Sequence, residues 1–168
     1  MYYRAIRKFI LTAIPVFGLV HFCAEQYDQE RVLYNVALGI KYYAPGISIK
    51  INSTEGYVLE FQALHKASGT IMGTLYEFQT RMKGQLSWYA GGGAHLIIWE
   101  PSWKKAKRLY GSDGSLAVDG VIGLDYKPEA WPFDISFDWQ PNFTFMGANN
   151  GNNKFNPLSG GIGLRFAL

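Results

Sequence analysis

The chain has 168 residues, enough for one domain with a filled interior and short for two. Charged residues make up only 17% against about 25% in ordinary soluble domains, while 16% are aromatic and 19 are Gly, a composition rich in strand formers. The formal charge of +3 arises at the N-terminus: Arg4, Arg7 and Lys8 precede the first acid, Glu25, and setting those three aside leaves 13 basic and 13 acidic side chains, a balance that argues against a general nucleic-acid binder.

Residues 1–24 read as an export signal. Arg4, Arg7 and Lys8 form a basic start, and the apolar run over 9–23 has the length of a signal-peptide core but is too short for a membrane-spanning helix. Cleavage is expected near Ala24, although Phe22-Cys23-Ala24 places a bulky residue where a small one is preferred. Val20-His21-Phe22-Cys23 lacks the small residue usual before a lipidated cysteine. An uncleaved amphipathic anchor helix is the alternative. Cys23 is the only cysteine, so neither an intrachain disulfide nor a cysteine metal site can form, and no metal or cofactor is expected.

Residues 25–168 show no helical periodicity sustained over three turns, whereas period-two alternation recurs in segments of about 8 to 13 residues. Residues 34–42 form the first candidate strand. In 47–52, Ile47, Ile49 and Ile51 oppose Ser48, Lys50 and Asn52. Over 56–65, Tyr57, Leu59, Phe61 and Ala63 oppose Val58, Glu60, Gln62 and Leu64. The segment 70–80 is less regular, with Glu77 sharing a face with Ile71 and Leu75. Over 86–99, Leu86, Trp88, Ala90, Ala94, Leu96 and Ile98 oppose Ser87, Tyr89, Gly91, Gly93 and His95. In 118–126, Val118, Ile122, Leu124 and Tyr126 oppose Asp119, Gly123 and Asp125.

The cleanest alternation lies in 133–145. Phe133, Ile135, Phe137, Trp139, Pro141, Phe143 and Phe145 fall on one face, and Asp134, Ser136, Asp138, Gln140, Asn142 and Thr144 on the other. Pro141 cannot donate to a ladder, so a β-bulge is expected near it or near Glu77. The eighth strand, 161–168, sets Ile162, Leu164, Phe166 and Leu168 against Gly161, Gly163, Arg165 and Ala167.

Alternation alone also suits a soluble sandwich or a lipocalin-like barrel with its apolar face inward. Here the apolar faces carry large aromatics and the opposite faces carry Gly and charge, which favours a narrow barrel with large apolar groups toward lipid. Connection lengths agree. The second, fourth and sixth connections (53–55, 81–85 and 127–132) are short, as periplasmic turns should be, and the long ones (100–115 and 147–157) fall at external positions. The expected fold is therefore all-β: an eight-stranded antiparallel up-and-down transmembrane β-barrel over 25–168, following the signal peptide.

From Leu38 onward the chain resembles the small outer-membrane β-barrel proteins common in Bacteroidetes. The resemblance runs through Leu38-Gly39-Ile40, Pro45-Gly46-Ile47-Ser48-Ile49-Lys50, Leu75-Tyr76-Glu77, Trp88-Tyr89-Ala90-Gly91-Gly92-Gly93-Ala94-His95, Val118-Asp119-Gly120-Val121-Ile122-Gly123-Leu124-Asp125-Tyr126-Lys127, Asp138-Trp139-Gln140-Pro141 and Gly163-Leu164-Arg165-Phe166. It implies a fold and a place in the cell outer membrane, and little mechanism. The family usually follows Asp-Trp with Lys-Pro and ends on an aromatic residue; this chain has Gln140-Pro141 and Leu168.

The inward faces collect Lys41, Lys50 and Arg165 with Glu60, Asp119, Asp125, Asp134 and Asp138, beside Gln62, Tyr89, His95 and Gln140. An eight-stranded interior is just wide enough to be filled by side chains, so these should pair into a plug; a proton or ion path is the alternative. His95 with Ser87, Ser136 and carboxylates raises a Ser-His-acid hydrolase or lipid-modifying enzyme, but no nucleophile motif supports it and no catalytic residue is assigned. Asp113 has too few ligands around it for a calcium loop.

Several of Trp88, Trp99, Trp103, Trp131 and Trp139 lie near strand ends and suit interfacial girdles. Lys104, Lys105, Lys107 and Arg108 form the one concentrated basic patch, on the external side, where they could contact lipopolysaccharide phosphates or simply be solvated. The sequence thus predicts a non-enzymatic outer-membrane barrel, structural or accessory to an envelope assembly, with outer-membrane lipids and other outer-membrane proteins as partners. A soluble periplasmic ligand-binding barrel is a further alternative.

Overall fold

The computed structural model describes residues 34–42, 44–53, 56–107, 110–149 and 154–168; the predicted signal peptide and Arg108 lie outside the described residues. The elements are β1 (Val36–Tyr42), β2 (Gly46–Asn52), β3 (Tyr57–Lys66), β4 (Gly69–Lys83), β5 (Leu86–Trp99), α1 (Pro101–Ala106), β6 (Tyr110–Tyr126), β7 (Phe133–Trp139), β8 (Asn142–Asn149), β9 (Phe155–Asn156) and β10 (Gly160–Ala167). Each of β1 to β5 pairs antiparallel with its successor. One end of β6 pairs with β7 and the other with β8, so β7 and β8 are two halves of a seventh barrel strand. In the same way β9 and β10 form the eighth, and β10 pairs with both β7 and β1. The result is the expected closed eight-stranded antiparallel barrel, without a free sheet edge along its wall.

Two boundaries differ from expectation. The sixth strand was expected to begin near residue 118 but begins at Tyr110, shortening the connection predicted over 100–115. The stretch Gly111-Ser112-Asp113-Gly114-Ser115 reads as a loop by composition. It is held as strand because Gly114 and Ser115 lie opposite Ile98 and Ile97 of β5. Within the remaining connection α1 forms one and a half turns, with Pro101 in the first, where its missing N–H costs nothing.

The second difference is the break at Gln140 and Pro141. Pro141 supplies no N–H, yet its carbonyl accepts from the Gly120 N–H at 2.9 Å, and β6 keeps one register from Ile122 opposite Trp139 to Asp119 opposite Asn142. The irregularity comes slightly later: Ala117 faces Thr144 and Leu116 faces Met146, leaving Phe145 as the extra residue of a bulge.

The polarity is inverted relative to a soluble barrel. Along β7, Phe133, Ile135, Phe137 and Trp139 are exposed, Phe137 at 63%, while Asp134 and Ser136 are fully buried and Asp138 nearly so. Leu38, Ile40, Ile47, Phe61, Ile122, Leu124, Ile162 and Leu164 also point outward. Glu77, the residue that spoiled the predicted alternation, needs no bulge. It points inward with its neighbour Leu75, which packs with Tyr89 and Val121 in a small apolar cluster inside the lumen.

Candidate functional site

The inward positions of eight strands converge on one network of buried charge. The eight charged residues expected in the lumen, Lys41, Lys50, Glu60, Asp119, Asp125, Asp134, Asp138 and Arg165, are all buried, while Gln140, also expected inward, is half-buried. Cross-strand register places some of them directly opposite one another, Lys50 against Glu60 and Arg165 against Asp134. Like-facing opposed pairs on neighbouring strands are close enough for their side chains to meet.

Arg165 is the hub. Its guanidinium donates to Ser48 Oγ at 2.9 Å, Ser136 Oγ at 2.7 Å, Asp134 Oδ2 at 3.3 Å and Glu60 Oε1 at 2.9 Å. The Ser48 hydroxyl in turn donates a hydrogen bond to Glu60 Oε1 at 2.6 Å. Lys41 Nζ bridges Glu60 at 3.3 Å and Asp138 at 3.0 Å. Lys50 Nζ lies 2.9 Å from Glu77, 3.7 Å from Asp125 and 3.7 Å from the centre of the Tyr89 ring. The Tyr89 hydroxyl donates to Asp138 at 3.0 Å, and Tyr34 and Gln79 both donate to Asp125, at 3.0 and 3.2 Å. Gly123 is required here, because a β-carbon at that position would lie 2.4 Å from Tyr89 Cζ.

Six carboxylates (Glu60, Glu77, Asp119, Asp125, Asp134 and Asp138) thus share the lumen with Lys41, Lys50, Arg165 and His95, all of them buried. In so dry a site each charge depends on its partners, because an unpaired buried ion is costly. The side chains fill the lumen as a plug. Glu77, Gln79, Tyr34 and Ser48 belong to this network but were not anticipated as members. Glu77 was legible in principle, since it alternates with the outward Tyr76 and Phe78 in step with Gln79.

Asp119 stands apart from Arg165, near the end of the lumen that carries α1. It holds His95 Nδ1 at 2.8 and 2.9 Å and accepts from Gln140 Nε2 at 3.3 Å, while Gln62 Nε2 reaches Gln140 Oε1 at 3.5 Å. The serines that could have served a hydrolase lie elsewhere. Ser87 is eight positions from His95 along β5, about 26 Å at the usual rise per residue. Ser136 sits opposite Asp125 and is occupied by Arg165. Among the described residues no group of three His, Cys, Asp or Glu side chains is arranged to hold a metal ion.

The basic patch lies at the α1 end of the barrel. Lys104 Nζ is tied to Asp113 at 2.7 Å, Lys107 Nζ lies 5.1 Å from the centre of the Trp103 ring, and Lys105 is exposed. The fourth predicted member, Arg108, is outside the described residues. Two tryptophans fasten strand ends: Trp99 Nε1 donates to Ser115 Oγ at 2.7 Å and Trp139 Nε1 to the Pro157 carbonyl at 2.6 Å.

No family model, no curated protein and no solved structure matches the chain.

Proposed function

We propose that this chain is a non-enzymatic integral barrel of a Gram-negative outer membrane, structural or accessory to a larger envelope assembly, in keeping with its resemblance to the small Bacteroidetes barrels. The observation that carries the reading is the inverted polarity of a closed barrel. Charges such as Arg165, Lys50 and Glu60 have no solvent exposure, while the aromatic and aliphatic residues of the same strands cover the outside. In water that arrangement would leave a large apolar wall exposed, whereas in a bilayer it is the low-energy one, because the closed ladder pairs the backbone of the wall around the ring and the lipid meets a predominantly apolar surface.

The lumen supports a structural role. It is occupied by mutually paired side chains, which contribute to holding the wall together and leave little room for a substrate. The separation of Ser87 from His95 along β5 and the engagement of Ser136 by Arg165 give no support to the hydrolase alternative. A lumen full of charge is equally unsuited to an apolar ligand. Outer-membrane lipids, including lipopolysaccharide, and other outer-membrane proteins are the partners this reading implies.

The test is extraction and migration. The protein should leave native membranes only with detergent and should run faster on gels before heating than after; release by salt or alkali alone would refute the membrane reading. Mild-detergent purification should then bring down stoichiometric partners if it is a subunit. His95→Ala should leave envelope lipid composition unchanged, and an altered lipid profile with an intact fold would restore the enzyme reading.

A further inference from the structure

The outer wall is not uniformly bulky. On its β3 to β5 side, outward positions include small residues, Ala63 on β3, Thr74 on β4 and Ala94 on β5, beside the outward Met72 and Leu96. Together they floor a groove of about 400 Å³ in the apolar exterior, flanked by Phe61 on one side and Leu116 on the other. Two residues further along β5, outward Gly92 lies opposite Gly120 of β6 on one side and the exposed Tyr76 of β4 on the other, so the groove ends against the Tyr76 ring. The opposite wall, by contrast, presents Ile135, Phe137 and Leu164.

The groove begins three residues, about 10 Å of strand, below the β3–β4 hairpin tip, and therefore in the half of the wall nearest α1. Above it stand the cations of the same strands' ends: Lys66 on β3, and Lys104, Lys105 and Lys107 on and after α1. The acids described on the same stretch are Glu100 and Asp113, and Asp113 is already tied to Lys104. An apolar channel of this size beneath a net-positive rim is complementary to an amphiphile with a negatively charged head and a long hydrocarbon tail.

Resting on the membrane reading above, we propose that this groove holds one acyl chain of lipid A, the phosphorylated glycolipid of the external leaflet, with its phosphate taken by Lys105 and Lys107. A flexible chain lies in the shallow trough that the small Ala63, Thr74 and Ala94 leave between Phe61, Met72 and Leu116, and it fills the surface those small residues leave open.

Native mass spectrometry of the full protein in mild detergent, titrated with purified lipid A or with phosphatidylglycerol, tests the proposal. The protein should retain lipid A in preference to phosphatidylglycerol. Filling the trough with Ala63→Leu and Ala94→Leu together should weaken lipid A retention by about tenfold, and Lys105→Gln with Lys107→Gln should weaken it by a few-fold, whereas Leu164→Phe on the far wall should not. Equal retention by the filled variant and the wild type, equal retention of the two lipids, or a second copy of the chain displaced by the filling residues would each overturn it. Gel mobility before and after heating, read on the same samples, reports folding separately. A protein that proves soluble without detergent fails the membrane reading itself, a result distinct from a detergent-requiring barrel that ignores lipid A.

Discussion

Arg165→Met is the sharpest test of the luminal network. Met keeps much of the length of Arg but deletes the charge and all four hydrogen bonds to Ser48, Ser136, Asp134 and Glu60. The two carboxylates then fare differently. Glu60 retains Lys41 at 3.3 Å and Lys50 at 4.0 Å. Asp134 has only Arg165 on its Oδ2 among the described residues, and its buried Oδ1 has no hydrogen-bond partner, so Met at 165 strands a fully buried anion. Stranding a buried charge typically costs about 3–5 kcal/mol. Adding Asp134→Asn removes the stranded charge, so the double variant should be more stable than Arg165→Met alone by about 1–3 kcal/mol, a coupling that a double-mutant cycle isolates. Guanidinium unfolding of the barrel in phospholipid vesicles, followed by tryptophan fluorescence and by heat-modifiable migration, measures both. A single-variant loss below about 1 kcal/mol, or strictly additive losses in the double variant, would show that the ladder alone carries the stability and that the ion network is incidental.

Two further substitutions separate the wall from the lumen. Phe137→Lys puts a cation on the exposed side of β7, where Phe137 is flanked by Leu124 and Ile162; the expected loss in vesicles is about 2–4 kcal/mol for a midplane position, and an unchanged or raised stability would contradict a lipid-facing wall. Gly123→Ala drives a methyl to 2.4 Å from Tyr89 Cζ and 2.7 Å from the Phe137 carbonyl, so the ring must leave Asp138 at an expected cost of about 1–3 kcal/mol. The same unfolding midpoint reads it, and a neutral result would mean that the Tyr89 position is not fixed.

The fold was legible because the dominant signal is local. In residues 133–145 each side chain's face follows from parity alone, and Asp134, Ser136 and Asp138 fall inward as that parity requires. The same rule found all eight expected lumen charges, and it failed at Glu77 only because Leu75, an apolar residue, also faces inward. What parity cannot supply is who meets whom across the lumen. Arg165 reaches Glu60 over 105 residues and Ser48 over 117, and Tyr34 reaches Asp125 over 91. Those meetings depend on strand stagger at closure, a property of the whole ring. Strand 110–117 was missed for the converse reason: its Gly and Ser carry no periodicity, and its conformation is imposed by β5 and β8.

The break at Pro141 divides the seventh and eighth strands into a part seated in the ring and a part beyond it. β7 and β10 hold each other over seven residue pairs, whereas β8 and β9 share two. Amide protons should report that inequality as a sharp step in hydrogen-exchange protection. Exchange along β9 should be orders of magnitude faster than along β10 a few residues away, with the chain opening down to Ser159, whose carbonyl accepts from the Gln140 N–H at 2.8 Å, and stopping there. The barrel therefore carries an extension that can unzip and re-form while the ring below it stays closed.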